Sequence, residues 1–298
     1  MPRLCRHWFG LLSAVALAWA GGLGCNLFPL APLNGPRPDR ETIPGTPSKF
    51  STRVSQFLFL HDFDLPKNQP VFRELSQLRE QVHKELQLPS SNNLVQVFLF
   101  EDRDRYERFM QQKYPDLPRR RAFFVAQPRR LGGAEDLLVY TYWGDKVQQD
   151  LRHELTHAML HSVLKDVPLW LDEGLAEYFE MPPGWNGVNY QHVEQLLRSP
   201  GGKAKIDLDR LEGLTDVQQM TPAEYREAWA WTHFMLKSTP QTRQVLIGYL
   251  HELRTNSRPG PLRPRLDKVV LSLNPTLDRH LTDLDLSQTR SGAALKNP

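Results

Sequence analysis

The stretch LRHELTH, at residues 151–157, contains the pattern H-E-x-x-H. Residues four apart lie on one face of a helix, so His153 and His157 would present two imidazoles to a single point. Two imidazoles arranged in this way can bind a metal ion. Glu154, directly after the first histidine, would reach a water molecule on that ion without being a ligand itself. Because three fixed residues also arise by chance, this pattern needs a second element before it predicts a zinc site.

The second element is PLWLDEGLAEYF, at residues 168–179. Pro168 is suited to the start of a helix, and Glu173, sixteen residues after His157, would face inward early in that helix. A helix, a short loop and a returning helix would bring this carboxylate against the two imidazoles. Two histidines and one glutamate, with a fourth position left for water, form a known catalytic zinc arrangement. Glu177, one turn further on, would accept the free N–H of a ligating histidine.

Composition sets limits on the partners of the chain. Its 40% apolar and 24% charged residues are ordinary for a globular protein. Removing residues 1–24, which contain two arginines and no acidic residue, would lower the formal net charge from +3 to +1. A near-neutral chain gives no basis for electrostatic binding to nucleic acid. The short basic runs at 119–121 and 129–130 are expected to be solvated surface charge.

The N-terminus has the features of an export signal. Arg3 and Arg6 are followed by an apolar stretch at residues 9–20, which is too short to span a membrane comfortably. Cys25 comes after small residues and resembles the lipid-acceptor cysteine of bacterial lipoproteins, although Gly22 stands where that pattern has a larger aliphatic residue. An ordinary signal peptide with an incidental cysteine is the alternative. In both cases the protein is expected to leave the cytoplasm.

The domain organisation follows from these features. We expect a signal peptide at residues 1–24 and a stiff tether at 25–49, because residues 28–47 contain six prolines and few apolar residues. One domain would occupy residues 50–286. The polar residues 287–298 are expected to form a flexible tail.

The periodicity of apolar residues predicts an α+β fold, with a small N-terminal mixed sheet and its helices followed by a mostly helical lobe, and with the zinc site between them. Strands are expected at residues 53–60, 94–100, 122–126 and 137–143. Helices are expected at residues 75–86, 105–112, 147–163, 169–181, 190–198, 222–238 and 241–254. Thr221, Pro222 and Glu224 have the pattern of a helix start with a capping box.

The stretches HELTHAML and PLWLDEGLAEYFE resemble the gluzincin metallopeptidases, in which H-E-x-x-H is followed by a helix carrying a glutamate ligand in an N/D-E-G-x-A sequence. Within that family, the chain resembles the peptidase-MA-like group of bacterial proteins and lipoproteins. The resemblance covers about residues 150–180. A metzincin is excluded, because its pattern requires Gly and His at the positions of Leu160 and Val163.

The resemblance implies a zincin-like fold, a Zn²⁺ cofactor and a peptide or protein substrate. Glu154 would act as the general base for water and then return the proton to the leaving amine. Many gluzincins use a downstream tyrosine or histidine as an oxyanion donor, for which Tyr225 is the first candidate and His233 the second. The strand at 137–143 would correspond to the edge strand that pairs with extended substrate in gluzincins, although an ordinary packed strand would explain the same residues.

Three functions remain open at this point. The leading expectation is a zinc metallopeptidase of the cell envelope, anchored to a membrane through Cys25, and the presence of all three ligands and the base favours it. A catalytically silent zincin-fold lipoprotein with a binding or structural role is the main alternative. A third possibility is an enzyme that uses the same site on a non-peptide amide.

Overall fold

A computed structural model describes residues 45–66, 68–128, 135–198 and 206–290. Over these residues the chain has an α+β fold in which a five-stranded mixed sheet precedes a helical lobe. The predicted fold class is therefore confirmed. The expected signal peptide, Cys25, most of the tether and the last eight residues of the tail lie outside the described residues.

The sheet has the strand order β1-β2-β3-β5-β4. Strand β3 pairs in parallel with β2 and β5, and the outer pairs β1–β2 and β4–β5 are antiparallel. In the described part of the chain, β4 therefore lies at one edge, while β5 is paired on both sides. The strands are β1 (Phe50–Val54), β2 (Phe57–His61), β3 (Val95–Phe100), β4 (Ala122–Pro128) and β5 (Glu135–Tyr142).

The first strand prediction was wrong in one respect. Residues 53–60, expected to form a single strand, cross a tight turn between β1 and β2. Ser55 in that turn has a φ of 55°, in the left-handed region, so the chain reverses and its two halves pair in antiparallel register. The apolar run predicted extended backbone correctly but did not show where it turns.

Both faces of the sheet are covered. Helix α1 (Pro70–Leu86) connects β2 to the parallel strand β3 and packs on one face, and helix α2 (Arg103–Lys113) packs on the other. Strand β3 is buried along its whole length, with Val97 in the first core and Phe98 in the second. A strand buried on both faces needs a continuous apolar run, which is what its sequence VQVFLF largely provides.

The helical lobe begins with α3, which packs on β4 and β5, and continues with α4, which packs on α3 and α7. Its helices are α3 (Val147–His161), α4 (Leu169–Phe179), α5 (Tyr190–Arg198), α6 (Leu208–Glu212), α7 (Pro222–Lys237), α8 (Pro240–Leu253), α9 (Arg263–Leu266) and α10 (Leu273–Arg290). Five of them match the predicted helices to within two residues at each end. The sequence patterns missed α6, α9 and α10, and α10 continues four residues past the expected domain end at 286.

The start of α7 has the predicted capping box. Thr221 accepts a hydrogen bond from the backbone N–H of Ala223 at 3.2 Å, and the carboxylate of Glu224 accepts one from the backbone N–H of Thr221 at 2.9 Å. These bonds satisfy N–H groups that a helix start leaves unpaired. No helix in the described residues is both long enough and apolar enough to cross a membrane.

Candidate metal centre

Helix α3 directs two imidazoles at one carboxylate on α4. The Nε2 atoms of His153 and His157 lie 3.4 and 3.6 Å from the same atom, Oε2 of Glu173. The centroids of the two imidazole rings are 4.9 Å apart, as expected for residues one helical turn apart. The structure thus brings together the three side chains that the sequence predicted as metal ligands.

Gly174 explains how Glu173 is held in this position. A Cβ atom on this glycine would lie 2.5 Å from both the carbonyl oxygen of Ala228 and Oγ1 of Thr232, on α7. The absence of a side chain therefore allows α4 and α7 to approach closely. Glu173 is confined between α7 behind it and α3 in front of it, and its side chain is buried.

These three residues fit a metal ion. One ligand atom from each lies within 4.8 Å of the other two, a grouping that could hold an ion. Oε2 of Glu173 is buried and has no well-formed hydrogen bond among the described residues. A buried carboxylate oxygen without such a partner is costly, and a cation shared with the two imidazoles would satisfy it.

The electrostatics of the cluster also favour a cation. Burial opposes charge on Glu173, but the two neighbouring imidazoles outweigh it and lower the pKa of this carboxyl to about 2. Burial likewise opposes charge on His157, but the carboxylates of Asp172 and Glu173 raise its pKa to about 10. The carboxylates that hold a proton on His157 would also attract a divalent cation, which would displace that proton on binding.

The outer nitrogens of both imidazoles face carboxylates. Nδ1 of His153 is hydrogen bonded to Oε2 of Glu180 at 3.0 Å, and Nδ1 of His157 lies 3.1 Å from Oδ1 of Asp172. Such carboxylates favour a proton on Nδ1 and leave Nε2 free to bind a metal, and they also orient the ring.

The expected role of Glu177 needs correction. Its Oε2 is hydrogen bonded to Nε2 of His192 on α5, at 2.8 Å, and the partner of His153 is Glu180 instead. The reason is that α3 and α4 run antiparallel, so the first histidine of α3 meets the end of α4. Glu177 still lies near His153 and Glu180, and together they form a second group that could hold a metal ion.

Glu180 is itself fixed by two residues of α3. Gln149 donates a hydrogen bond to Oε1 of Glu180 at 2.9 Å. The buried guanidinium of Arg152 donates to the carbonyl oxygens of Glu180 and Met181, at 3.3 and 2.7 Å, which anchors the chain where α4 ends. Sequence patterns did not predict these contacts, although Arg152 directly precedes the first histidine.

Asp172 serves two histidines. One carboxylate oxygen faces His157, and the other is hydrogen bonded to Nε2 of His161 at 2.9 Å. Burial opposes the charge of Asp172, but the two histidines overcome it and hold its pKa far below the ordinary value. His161 therefore supports the site through Asp172.

Glu154 shares a cavity with all three candidate ligands. The cavity has a volume of about 50 Å³. Burial raises the pKa of Glu154, and the nearby charge of Glu173 acts in the same direction. A carboxylate with a raised pKa beside a candidate metal position has the placement and basicity of a general base.

Tyr225 lies at the same site and has a partner that the sequence did not predict. Nη2 of Arg120 donates a hydrogen bond to the hydroxyl of Tyr225 at 2.9 Å, and Arg120 lines the cavity of Glu154. Burial raises the pKa of Tyr225, and the charge of Glu173 raises it further, which places the phenol within electrostatic reach of the cluster. Arg120 is exposed, as expected for residues 119–121, but its guanidinium is hydrogen bonded to Tyr225 and is not simply solvated surface charge.

His233, the second candidate oxyanion donor, lies elsewhere. It is buried, and its Nδ1 is hydrogen bonded to Nε2 of His280 on α10 at 2.9 Å. Its ring also contacts Tyr178 and Trp229. His233 is two turns beyond Tyr225 on α7, so the helix carries it past the site and into the core of the lobe.

Strand β4, and not β5, is the edge strand beside the site. Of the two interpretations of β5, a substrate-binding edge strand and an ordinary packed strand, the second is correct, because β5 is paired with both β3 and β4. Phe124 of β4 stacks 6.3 Å from the ring of His157, and both Phe123 and Phe124 line the cavity of Glu154. Strand order depends on long-range pairing, which the apolar pattern of a single strand does not encode.

Residues 148–261 match the model of a family described as "Protein of unknown function (DUF1570)". No curated protein and no solved structure matches the chain.

The matched segment begins at the start of α3 and ends before α9. It contains the three candidate ligands, Glu154 and Tyr225, but neither Arg120 nor the sheet. The part of this chain that resembles other proteins is therefore the part that carries the candidate metal centre.

Proposed function

We propose that this protein is a zinc-dependent metallopeptidase of the gluzincin type that acts outside the cytoplasm. The observation that carries the proposal is the convergence of Nε2 of His153, Nε2 of His157 and Oε2 of Glu173, with Glu154 in the same cavity. Two imidazoles and a carboxylate suit zinc, and a three-residue ligand set leaves a position open for catalysis. A zinc ion held there supplies Lewis acidity, which polarises a carbonyl group and acidifies water.

The proton transfers fall to Glu154. Its carboxylate would take a proton from the attacking water and deliver it to the amine that leaves, so one side chain serves both halves of the reaction. Burial raises its pKa, which favours both transfers near neutral pH. Tyr225 would donate its hydroxyl proton as a hydrogen bond to the negatively charged oxygen that develops on the substrate carbonyl.

The surroundings of the site offer a place for an extended peptide. The outer edge of β4, which pairs with no strand among the described residues, could pair with substrate backbone, since it borders the cavity of Glu154. A second cavity of about 410 Å³ shares Phe124 with the first and is also lined by His161 and Asp172. A side chain of a peptide lying along β4 would fit in this second cavity.

The proposal includes a location. The export signal at 1–24 and the lipid-acceptor pattern at Cys25 support an exported protein anchored to a membrane by its N-terminus, with the catalytic domain in the periplasm or outside the cell. Metabolic labelling with a radioactive fatty acid tests the anchor. Label should be incorporated into the full chain and lost in Cys25→Ser.

The decisive experiment compares the wild-type protein with Glu154→Gln, both produced as residues 26–298. Zinc content is measured after dialysis, and cleavage is followed with a mixture of unfolded proteins by mass spectrometry of the products. We expect one zinc per chain in both proteins and cleavage by the wild type alone, with activity in Glu154→Gln reduced by about 10²-fold or more.

Other outcomes identify the alternatives. Stoichiometric zinc with no cleavage of any protein or peptide would support the silent envelope module. If the protein hydrolysed only a non-peptide amide, the proposed metal site would stand but the substrate would not be a peptide. Absence of zinc from the wild-type protein would rule out the proposed function.

A further inference from the structure

Arg120 occupies a position that the proposed reaction does not yet explain. It lies in the segment between α2 and β4, and its guanidinium reaches the hydroxyl of Tyr225 on α7, 105 residues away in sequence. The guanidinium carbon is also 5.8 Å from the centre of the Tyr225 ring. The contact thus links the segment before β4 to helix α7, across the cavity that contains Glu154.

The direction of this hydrogen bond is fixed by chemistry. A guanidinium group has only donors, so the oxygen of Tyr225 must accept, and its own proton remains available for another acceptor. Without Arg120 the hydroxyl could rotate and donate to a carboxylate of the site instead. By occupying a lone pair of the oxygen, the arginine restricts the direction in which the hydroxyl proton of Tyr225 points.

The charge of Arg120 adds to this effect. Among the described residues that line the cavity, it is the one side chain with a permanent positive charge, and it stands with Glu154 and Glu173. The charged guanidinium polarises the hydroxyl to which it donates a hydrogen bond, and its positive charge stabilises negative charge that develops nearby.

We propose that Arg120 is a positioning residue for the oxyanion, which acts by holding the hydroxyl of Tyr225 as a hydrogen-bond donor to the substrate oxygen. This inference rests on the proposed peptidase function. The transition state would then be stabilised by Arg120 and Tyr225 together, and not by Tyr225 alone. A competing role for Arg120 is to bind the free α-carboxylate of a peptide substrate directly, and the two roles predict different results.

The experiment uses zinc-loaded wild-type protein with Arg120→Met, Arg120→Lys, Tyr225→Phe and the double variant Arg120→Met/Tyr225→Phe. Arg119→Met is the matched control, because Arg119 is exposed like Arg120 and lies in the same segment but does not line this cavity. For each protein, kcat and KM are measured on one peptide with a free and with an amidated C-terminus. Affinity for a phosphinic peptide, which imitates the tetrahedral oxyanion, is measured by calorimetry, together with zinc content and melting temperature.

We expect Arg120→Met and Tyr225→Phe each to lower kcat by about 10²-fold and to weaken the phosphinic peptide comparably, with KM within about twofold of wild type. The double variant should be no worse than Tyr225→Phe, because the arginine acts through the tyrosine. Arg120→Lys should recover part of the loss, since lysine keeps one donor and the charge. Zinc content and melting temperature should stay at the values of Arg119→Met.

Three results would overturn the inference. The losses of the two single variants could multiply in the double variant, which would show that Arg120 acts independently. The loss in Arg120→Met could appear in KM and only with the free α-carboxylate, which would assign it to substrate binding. Arg120→Met could also behave like Arg119→Met. If instead wild-type protein neither cleaves peptides nor binds the phosphinic peptide, the proposed function fails and this inference fails with it.

Discussion

Oε2 of Glu180 lies 3.0 Å from Nδ1 of His153, so the residue that ends α4 orients an imidazole near the middle of α3. If Nε2 of His153 binds a metal, Nδ1 must carry the proton, and Glu180 is the acceptor that stabilises this tautomer. The carboxylate is held in turn by Gln149. The candidate metal centre would therefore depend on a contact between the two helices that involves no ligand atom.

Replacement of Glu180 by alanine should weaken zinc binding by about 10- to 100-fold, the usual effect of removing such a partner. The affinity is measured by competition with a chromophoric chelator. Glu177→Ala is the matched control, because Glu177 is on the same helix and is hydrogen bonded to His192. An equal loss of zinc affinity in both variants would contradict the assignment of Glu180 as the partner of His153.

Replacement of Gly174 by alanine should destabilise the protein, because the new Cβ would meet the backbone of Ala228 and the side chain of Thr232 at 2.5 Å. Overpacking of this kind costs about 1–3 kcal/mol. Zinc affinity should also fall, since Glu173 would move with α4. Urea unfolding and the chelator competition measure the two effects.

Gly248 provides the control for this change. It lies exposed in the middle of α8, and nothing is within 4 Å of the position of its missing Cβ. Gly248→Ala should therefore stabilise the protein by up to about 1 kcal/mol through helix propensity. A Gly174→Ala variant as stable as the wild type would mean that α4 and α7 are not in close contact.

Local patterns predicted the parts of the site that lie on one helix. The spacing of His153 and His157 needs only the helical repeat, and the interval to Glu173 needs only a short loop and a second helix. Both features are encoded within about 30 residues. The structure brings these three side chains together for that reason.

The parts that sequence reasoning missed depend on contacts between distant segments. Glu180 and Glu177 are equally plausible from spacing, and the antiparallel alignment of α3 and α4 decides between them. Arg120 reaches Tyr225 only because the segment before β4 passes in front of α7. In the same way, the position of β4 at the sheet edge follows from strand order, which no single strand reveals.

Zinc should stabilise the folded protein whether or not it catalyses a reaction. At a free zinc concentration 100 times the Kd, the free energy of unfolding should rise by about 2.7 kcal/mol. The increase should be the same in the wild type and in Glu154→Gln, because this residue is not a ligand. Thermal unfolding with and without zinc, after treatment with a chelator, measures it.

Glu173→Gln tests the ligand set in the same assay. The neutral amide is a poor zinc ligand, so most of the stabilisation by zinc should disappear. The variant should also lose the carboxylate that pairs with the two imidazoles. Full stabilisation of Glu173→Gln by zinc would place the ion at another group of residues.

The pair formed by His233 and His280 should make the protein less stable in acid. Burial, together with the neighbouring charges of His280 and Lys237, lowers the pKa of His233 to about 3. Burial also lowers the pKa of His280, to about 4, against the opposing charge of Asp283. The ordinary value is 6.5, so the unfolded chain binds more protons than the folded chain between about pH 6.5 and 4.

The sign of the effect follows from this difference. The contribution to stability is fully present above about pH 6.5 and is lost as the pH falls, by up to about 1.4 kcal/mol per pH unit for each histidine. In His280→Gln, the free energy of unfolding should fall less steeply between pH 6.5 and 4.5, because one of the two histidines no longer contributes to the slope. Urea unfolding across this range measures the slope, and His251→Gln, which replaces an exposed histidine on α8, should retain the wild-type slope. An unchanged slope in His280→Gln would show that the buried pair does not control acid stability.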